Sequence, residues 1–310
     1  MKKRSGPCGI HLFDRRTGLN ILMDEAVEST AHWSSAPRYV SIALTNTCEL
    51  ACPFCYASKK TAKLDFDTVV EWAKALDQAG CFGIGFGGGE PTLFPRFDAL
   101  CRSIRAETDL AITFTTHGHR LTDELATALA GSVDFIRLSM DGIEGTYERL
   151  RGRSFDQFKR KMAIARDLAQ FGINYVVNSD TIGDLAAAAH FVFDEGAHEI
   201  LLLPEIRPDG TLAIDAEVLA RLQSWVETNH ERYRLATSTH SADVIGGPIL
   251  PISALDESYE FMHINASGKL KLTAFSAHGV GLAEHDDIIE QMIRLRALSA
   301  EASSNTGARQ

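Results

Sequence analysis

The chain has 310 residues, of which 45% are hydrophobic and 23% are charged, and this composition is typical of a globular protein. Its formal net charge of −10 argues against partners such as nucleic acids and anionic membrane surfaces, because both attract Lys and Arg. No apolar run reaches transmembrane length, and the basic N-terminus lacks the long apolar region of a secretory signal, so we expect no membrane partner.

The first predicted element is a β-hairpin, and we assign residues 1–37 to this hairpin and the linker after it. Ile10 and Leu12 precede a polar turn that contains Gly18, and an apolar segment resumes at Leu19. Two apolar segments on either side of a glycine-containing turn predict a pair of antiparallel strands.

Residues 38–210 are predicted to alternate between strands and helices. We expect strands near 39–46, 82–87, 110–116, 134–140, 173–178 and 199–204, and helices near 66–79, 96–106, 122–130, 155–170 and 184–195. Short connections in such an alternation predict an α/β fold with a parallel sheet and right-handed crossovers. Six β/α units favour an open, partial (β/α)6 TIM-like barrel, whose active site is expected at the carboxyl ends of the strands.

The pattern changes in residues 211–300, where we predict a small C-terminal α+β cap domain. A helix near 214–232 precedes a loop rich in Ser, Thr, Gly and Pro, and a hairpin turning at Ser267–Gly268 follows. A last helix is expected near 285–300. The tail at 301–310 is polar and is predicted to be disordered.

Three cysteines, Cys48, Cys52 and Cys55, lie directly after the first predicted barrel strand. Three thiolates can hold a [4Fe–4S] cluster through three of its irons and leave the fourth iron open to a ligand that is not protein. A zinc site with a histidine as fourth ligand and a group of structural thiols are the alternatives. An oxygen-labile cluster, like free thiols in general, suits a reducing compartment, so we expect a cytoplasmic protein.

Other motifs follow the next three strands. The turn at 87–91 reads Gly-Gly-Gly-Glu-Pro, where glycines let a ligand approach the backbone closely or simply give a flexible connection. The third strand ends in Thr-His-Gly at 116–118, and the fourth ends in Ser-Met-Asp-Gly at 139–142. Every one of these motifs falls at the expected active-site end of the barrel.

Together these motifs resemble the radical S-adenosylmethionine (SAM) superfamily. Residues 48–55 are similar to its Cys-x3-Cys-x2-Cys loop, and residues 87–91 resemble its turn for the amino group of SAM. Residues 138–142 and 148–155 resemble the subgroup of the molybdenum-cofactor cyclase and the SPASM/twitch peptide-modifying enzymes. The likeness covers roughly residues 38–210.

The resemblance implies one [4Fe–4S] cluster on Cys48, Cys52 and Cys55, with SAM on the open iron. It implies that SAM is contacted by residues at the strand ends: Phe54, Gly88, Gly89, Glu90, Ser139 and Arg151. The subgroup's third strand normally ends in Thr-Asn-Gly, so His117 is a departure. It is a candidate substrate-facing or proton-transfer group, or else a replacement with only local hydrogen bonds.

The segment 260–275 resembles the hairpin of the SPASM/twitch domain, which cysteines flank in that subgroup. This chain has no cysteine after Cys101, and the expected equivalent of a ligand is Thr273. Cys8, Cys81 and Cys101 are not spaced for a second cluster. We therefore expect residues 211–300 to form a degenerate domain without metal that packs over the barrel mouth.

The resemblance implies an enzyme that reductively cleaves SAM to a 5′-deoxyadenosyl radical, which abstracts hydrogen from a substrate. An electron donor such as flavodoxin or ferredoxin is then a partner. The expected substrate is a ribosomally synthesised peptide, because the N-terminal hairpin could accept a leader peptide as an added strand. The alternatives are a small molecule of cofactor or natural-product biosynthesis and a non-catalytic iron–sulfur or zinc protein.

Overall fold

The protein is described by a computed structural model that covers residues 1–246, 257–283 and 286–307. The strands are β1 Lys2–Gly6, β2 Gly9–Asp14, β3 Leu19–Met23, β4 Tyr39–Thr45, β5 Gly83–Gly88, β6 Ala111–Thr116, β7 Phe135–Ser139, β8 Gln170–Val177, β9 Ile200–Pro204, β10 Leu235–Thr237, β11 Phe261–Ile264, β12 Lys269–Lys271 and β13 Val280–Gly281. The α-helices are α1 Phe66–Gln78, α2 Phe97–Glu107, α3 Asp123–Leu129, α4 Glu144–Arg151, α5 Phe155–Leu168, α6 Leu185–Asp194, α7 Ala216–Asn229, α8 Thr239–Ile245 and α9 Ile288–Gly307.

The chain divides into two compact units. The first comprises Met1–Thr47, Lys60–Thr113 and the described residues after Leu255. The second comprises Cys48–Lys59 and the described residues of Phe114–Ala254. The cysteine loop therefore belongs to the second unit, and the glycine-rich turn at 87–91 belongs to the first.

The first unit contains two sheets. In one, β1, β2 and β3 are antiparallel in that order, and β2 with β3 is the predicted N-terminal hairpin. In the other, β4 pairs in parallel with β5 on one side and with β11 on the other, and β12 and β13 continue from β11. The helix α1 is preceded by Asp65, whose side chain caps it by accepting from the Thr68 N–H.

The C-terminal hairpin lies differently from the expectation. Phe261 is paired with Tyr39, so β11 extends the sheet alongside β4 and does not lie across the strand ends. The reason is the apolar character of β11, since Met262 and Ile264 are fully buried as in a sheet interior. The hairpin turn is as predicted, and Gly268 has the positive φ of 70° that such a turn requires.

The second unit is built on the parallel strands β7, β8, β9 and β10 in that order. The β/α alternation therefore continues past the predicted boundary at residue 210, through α7 and β10. The buried positions Val218, Leu222 and Val226 give α7 one apolar face, which explains why it packs as another unit of the repeat. Residues predicted as one domain at 211–300 thus fall in both units.

The six predicted barrel strands correspond to β4 through β9, and the five predicted helices between them are present. The helix α9 continues to Gly307 and so overlaps the tail predicted to be disordered at 301–310, although Ser303, Ser304, Asn305 and Thr306 are weak helix formers. Residues 308–310 and part of the predicted polar loop, 247–256, lie outside the described residues. No helix in the described part of the chain is both long and apolar enough to cross a bilayer.

Candidate cluster and cofactor site

The cysteine loop of the second unit carries three half-buried cysteines that form no disulfide, Cys48, Cys52 and Cys55. A turn closes the loop, since the N–H of Cys55 donates to the carbonyl of Cys52 at 3.2 Å. The N–H of Leu50 donates to Sγ of Cys48 at 3.4 Å. Such a donor favours the thiolate that a metal cluster needs.

Arg151, at the end of α4, lies next to this loop. Its Nη1 donates to Sγ of Cys52 at 3.5 Å, and its guanidinium lies 5.5 Å from the centre of the Phe54 ring. Burial raises the pKa of the Cys52 thiol, while the positive charge of Arg151 acts in the opposite direction. The fold therefore brings together Cys52, Phe54 and Arg151, three residues predicted for the site.

A buried carboxylate holds Arg151 in place. Asp141 is fully buried, pairs through Oδ2 with Arg151, and accepts from the Val176 N–H at 2.7 Å through Oδ1. Burial alone would lower the pKa of Arg151, but the neighbouring Asp141 carboxylate raises it above its usual value. The guanidinium is therefore charged and fixed in orientation before any ligand arrives.

One donor of Arg151 is left over. Within the described residues, its Nε is buried and has no hydrogen-bond partner. A buried unpaired donor is costly unless a ligand supplies an acceptor. The carboxylate of SAM is such an acceptor, and three thiols beside it suit an iron–sulfur cluster, so these residues fit the implied cofactors.

Ser139 lies at the end of β7, paired with Asn174 of β8 in the parallel ladder. Within the described residues, the Asn174 Oδ1 atom is buried without a hydrogen-bond partner. Our sequence analysis did not select Asn174, although an Asn inside the apolar run of β8 was the available signal. The two side chains place polar groups on one face of neighbouring strands.

His117 is 4% exposed and lies beside the cysteine loop. Its Nε2 is 3.3 Å from the Glu49 carboxylate, and ligand atoms of Cys48, Glu49 and His117 all lie within 4.8 Å of one another. The neighbouring His119 contacts the Tyr147 hydroxyl at 2.9 Å, and burial lowers the pKa of His119 to about 4. Glu49 was not a predicted site residue, because only the fold brings it to His117.

The glycine-rich turn of the first unit packs against backbone. Gly88 has a φ of 114°, and a Cβ on Gly89 would lie 2.2 Å from the carbonyl oxygen of Thr47. Glu90 is 1% exposed and accepts from the Thr92 N–H at 3.2 Å. These residues thus shape the turn, and their contact with SAM stays a prediction.

Cys81, Cys101 and Thr273, the last being the expected equivalent of a SPASM/twitch cluster ligand, have structural surroundings. Cys81 and Cys101 are buried, and burial raises the pKa of Cys81 to about 11, so it is not a reactive thiolate at neutral pH. Thr273 is hydrogen-bonded to the Ser276 hydroxyl at 2.9 Å, in a turn held by side chains. In the described residues, Cys48, Glu49 and His117 form the one group of His, Cys, Asp and Glu at metal-ligand spacing.

Comparisons with known proteins identify related sequences. Residues 42–192 match the Radical SAM superfamily. The PqqA peptide cyclase of Ruegeria pomeroyi is 32% identical over 188 residues, which are 57% of this chain and 48% of that protein. Mycofactocin maturase MftC of Mycobacterium tuberculosis is 27% identical over 251 residues, which are 78% of this chain and 62% of that protein. The chain thus spans only about half to three-fifths of the length of these relatives.

Solved structures show the same fold. Streptococcus suis SuiB bound to S-adenosylmethionine has a TM-score of 0.71 at 15% identity, over 93% of this chain and 86% of that one. SuiB bound to its precursor peptide SuiA has a TM-score of 0.69 at 18% identity, over 83% of this chain and 64% of that one. These likenesses confirm the predicted α/β fold of the partial-barrel type. The superfamily uses a [4Fe–4S] cluster and SAM. This chain therefore carries a radical SAM domain at residues 42–192.

Proposed function

We propose that this chain is a radical SAM enzyme that holds one [4Fe–4S] cluster on Cys48, Cys52 and Cys55. The observation that supports it most is Arg151, a buried cation that contacts Cys52 and has an unpaired N–H. When bound, the cluster and SAM supply the one-electron chemistry that yields a 5′-deoxyadenosyl radical. A flavodoxin or ferredoxin is the proposed electron donor.

The protein's own residues position these groups. Arg151 is proposed to bind the SAM carboxylate, and Phe54 to pack beside the adenine. Ser139 is proposed to hydrogen-bond SAM, and Asn174 beside it offers a further acceptor. In the first unit, Gly88, Gly89 and Glu90 keep their proposed role at the amino group of SAM.

The proposed substrate is a ribosomally synthesised peptide. Two relatives carry names that refer to peptides, the PqqA peptide cyclase and SuiB bound to a precursor peptide. The edge strand β3 supports this proposal, because it exposes the apolar side chains of Leu19, Ile21 and Met23 at alternate positions. Alternate residues lie on one face of a strand, so an extended peptide could pair with the edge and cover this face.

Metal analysis tests the cofactor assignment. Anaerobic reconstitution should give about four irons and four sulfides per chain, and Cys52→Ala should hold no stable cluster, because a methyl group cannot bind iron. His117 beside Cys48 favours one competing reading, a mononuclear zinc site. One zinc per chain without sulfide, from protein produced with iron available, would contradict the proposal.

A further inference from the structure

We propose that Glu49 and His117 form a charge-tuning pair that sets the reduction potential of the cluster held in part by Cys48. This inference rests on the proposed function and extends it to two residues next to the cysteine loop. The step concerned is the uptake of one electron by the 2+ cluster, which becomes 1+ while an external reductant is oxidised. Net charge near the cluster and hydrogen bonding control such potentials.

Hydrogen bonds fix the protonated nitrogen of His117. The backbone N–H of His119 donates to Nδ1 of His117 at 3.1 Å, so Nδ1 must be the acceptor nitrogen. The proton of the neutral ring therefore lies on Nε2, which faces the Glu49 carboxylate at 3.3 Å. The backbone of its own turn thus fixes the His117 ring with Nε2 towards Glu49, in an ion-pair contact that does not have hydrogen-bond geometry.

This pair brings a negative charge to the cluster. The Glu49 carboxylate and the Cys48 sulfur lie within 4.8 Å of each other, and the Glu49 side chain is 30% exposed. A nearby carboxylate disfavours the added electron, because solvent screens a partly buried charge only in part. The Nε2 atom of His117 faces that charge at 3.3 Å, and Arg120 adds a positive charge with its Nη1 3.9 Å from Glu49.

One of the two residues, His117, departs from the pattern expected of the subgroup. His117 stands where that pattern has Asn, and its ring, which is 4% exposed, faces the one carboxylate within the Cys-x3-Cys-x2-Cys loop. Glu49 is only partly buried, so the fold alone does not require a carboxylate there. A tuned potential explains why an acidic side chain stands next to a thiolate ligand.

An EPR-monitored redox titration of the reconstituted protein, without SAM, tests the proposal. Glu49→Gln keeps the shape and an acceptor for His117 but removes the charge, so the potential should rise. Arg120→Ala should lower it, and Arg120 is 49% exposed, so this variant is expected to fold. Glu195→Gln is the matched control, since it removes a carboxylate paired with Arg166 at 3.2 Å and should leave the potential unchanged.

The outcomes separate this inference from the proposed function. Opposite shifts for Glu49→Gln and Arg120→Ala, with no shift for Glu195→Gln, support the inference. A cluster with four irons whose potential is the same in all four proteins overturns it and leaves the proposed function standing. A wild-type protein that takes up no cluster overturns both.

Discussion

At the scale of single residues, the site depends on charged groups that are fixed before a ligand binds. Asp141 fixes Arg151 from a fully buried position, and Arg151 reaches Cys52 and Phe54. Leaving one partner of a buried ion pair alone typically costs about 3–5 kcal/mol, so this pair couples site geometry to stability. Orientation of the guanidinium, rather than its charge alone, is the property that the fold provides.

Replacing Arg151 with Lys should therefore weaken SAM binding by about tenfold or more, because a single ammonium cannot keep the contacts to Asp141 and Cys52 and also replace the N–H that Nε offers to the SAM carboxylate. Anaerobic calorimetry on cluster-loaded protein measures this directly. Arg149→Lys is the matched control, since Arg149 lies on the same helix, is 56% exposed and makes a surface pair with Asp180. Equal SAM affinities for the wild type and Arg151→Lys, with equal unfolding curves, would remove Arg151 from the site.

The sequence predicted some of these residues and missed others for a physical reason. The spacing of Cys48, Cys52 and Cys55 is local, so the sequence alone predicts them as ligands. Asp141 with Arg151 and Glu49 with His117 are contacts made by the fold, and no periodicity in the chain indicates them. Asn174 was a visible exception in the apolar run of β8, but the sequence does not show that its Oδ1 is buried without a hydrogen-bond partner.

At the scale of elements, strands with long apolar runs were predicted well and short or polar elements were not. The strand β10 has only three residues, and α4 buries only Tyr147 and Leu150, so neither has a pattern long enough to recognise. The hairpin β11–β12 was predicted from its turn, but its pairing with β4 is a long-range contact that local signals cannot give. Local signals thus identify elements better than they identify partners.

The turn after β5 gives a prediction at this scale. A Cβ on Gly89 would lie 2.2 Å from the Thr47 carbonyl, so Gly89→Ala should destabilise the protein by about 1–3 kcal/mol. It should also reduce iron uptake, because Thr47 directly precedes Cys48. Gly87→Ala is the control, since nothing lies within 4 Å of its added Cβ. Urea unfolding measures the stability of each variant, and iron analysis measures its iron content. Equal stabilities and equal iron contents for Gly89→Ala and Gly87→Ala would contradict this account.

The edge strand β3 gives a second prediction. Ile21 is 39% exposed, and Ile21→Lys should weaken binding of the proposed peptide substrate, because it places a charge on the apolar face. Ile293→Lys changes the same residue type at a 52% exposed position of α9 and should have no effect. Fluorescence anisotropy with the labelled peptide measures both, and equal affinities for the two variants would argue against β3 as the docking edge.

At the scale of the whole molecule, the predicted α/β partial barrel is confirmed, while the predicted C-terminal cap at 211–300 is divided between the two units. The β/α repeat takes up α7 and β10, and the β11–β13 hairpin extends the sheet at β4. The proposed chemistry rests on the residues around Cys48, Cys52 and Cys55.

The most direct test of this account is the cleavage of SAM by the reconstituted protein under dithionite, without oxygen. Wild-type protein should form 5′-deoxyadenosine and methionine, detected by liquid chromatography and mass spectrometry, and Cys52→Ala should form neither. The account would be contradicted by a wild-type protein that holds about four irons per chain and binds SAM, yet forms no more 5′-deoxyadenosine than Cys52→Ala.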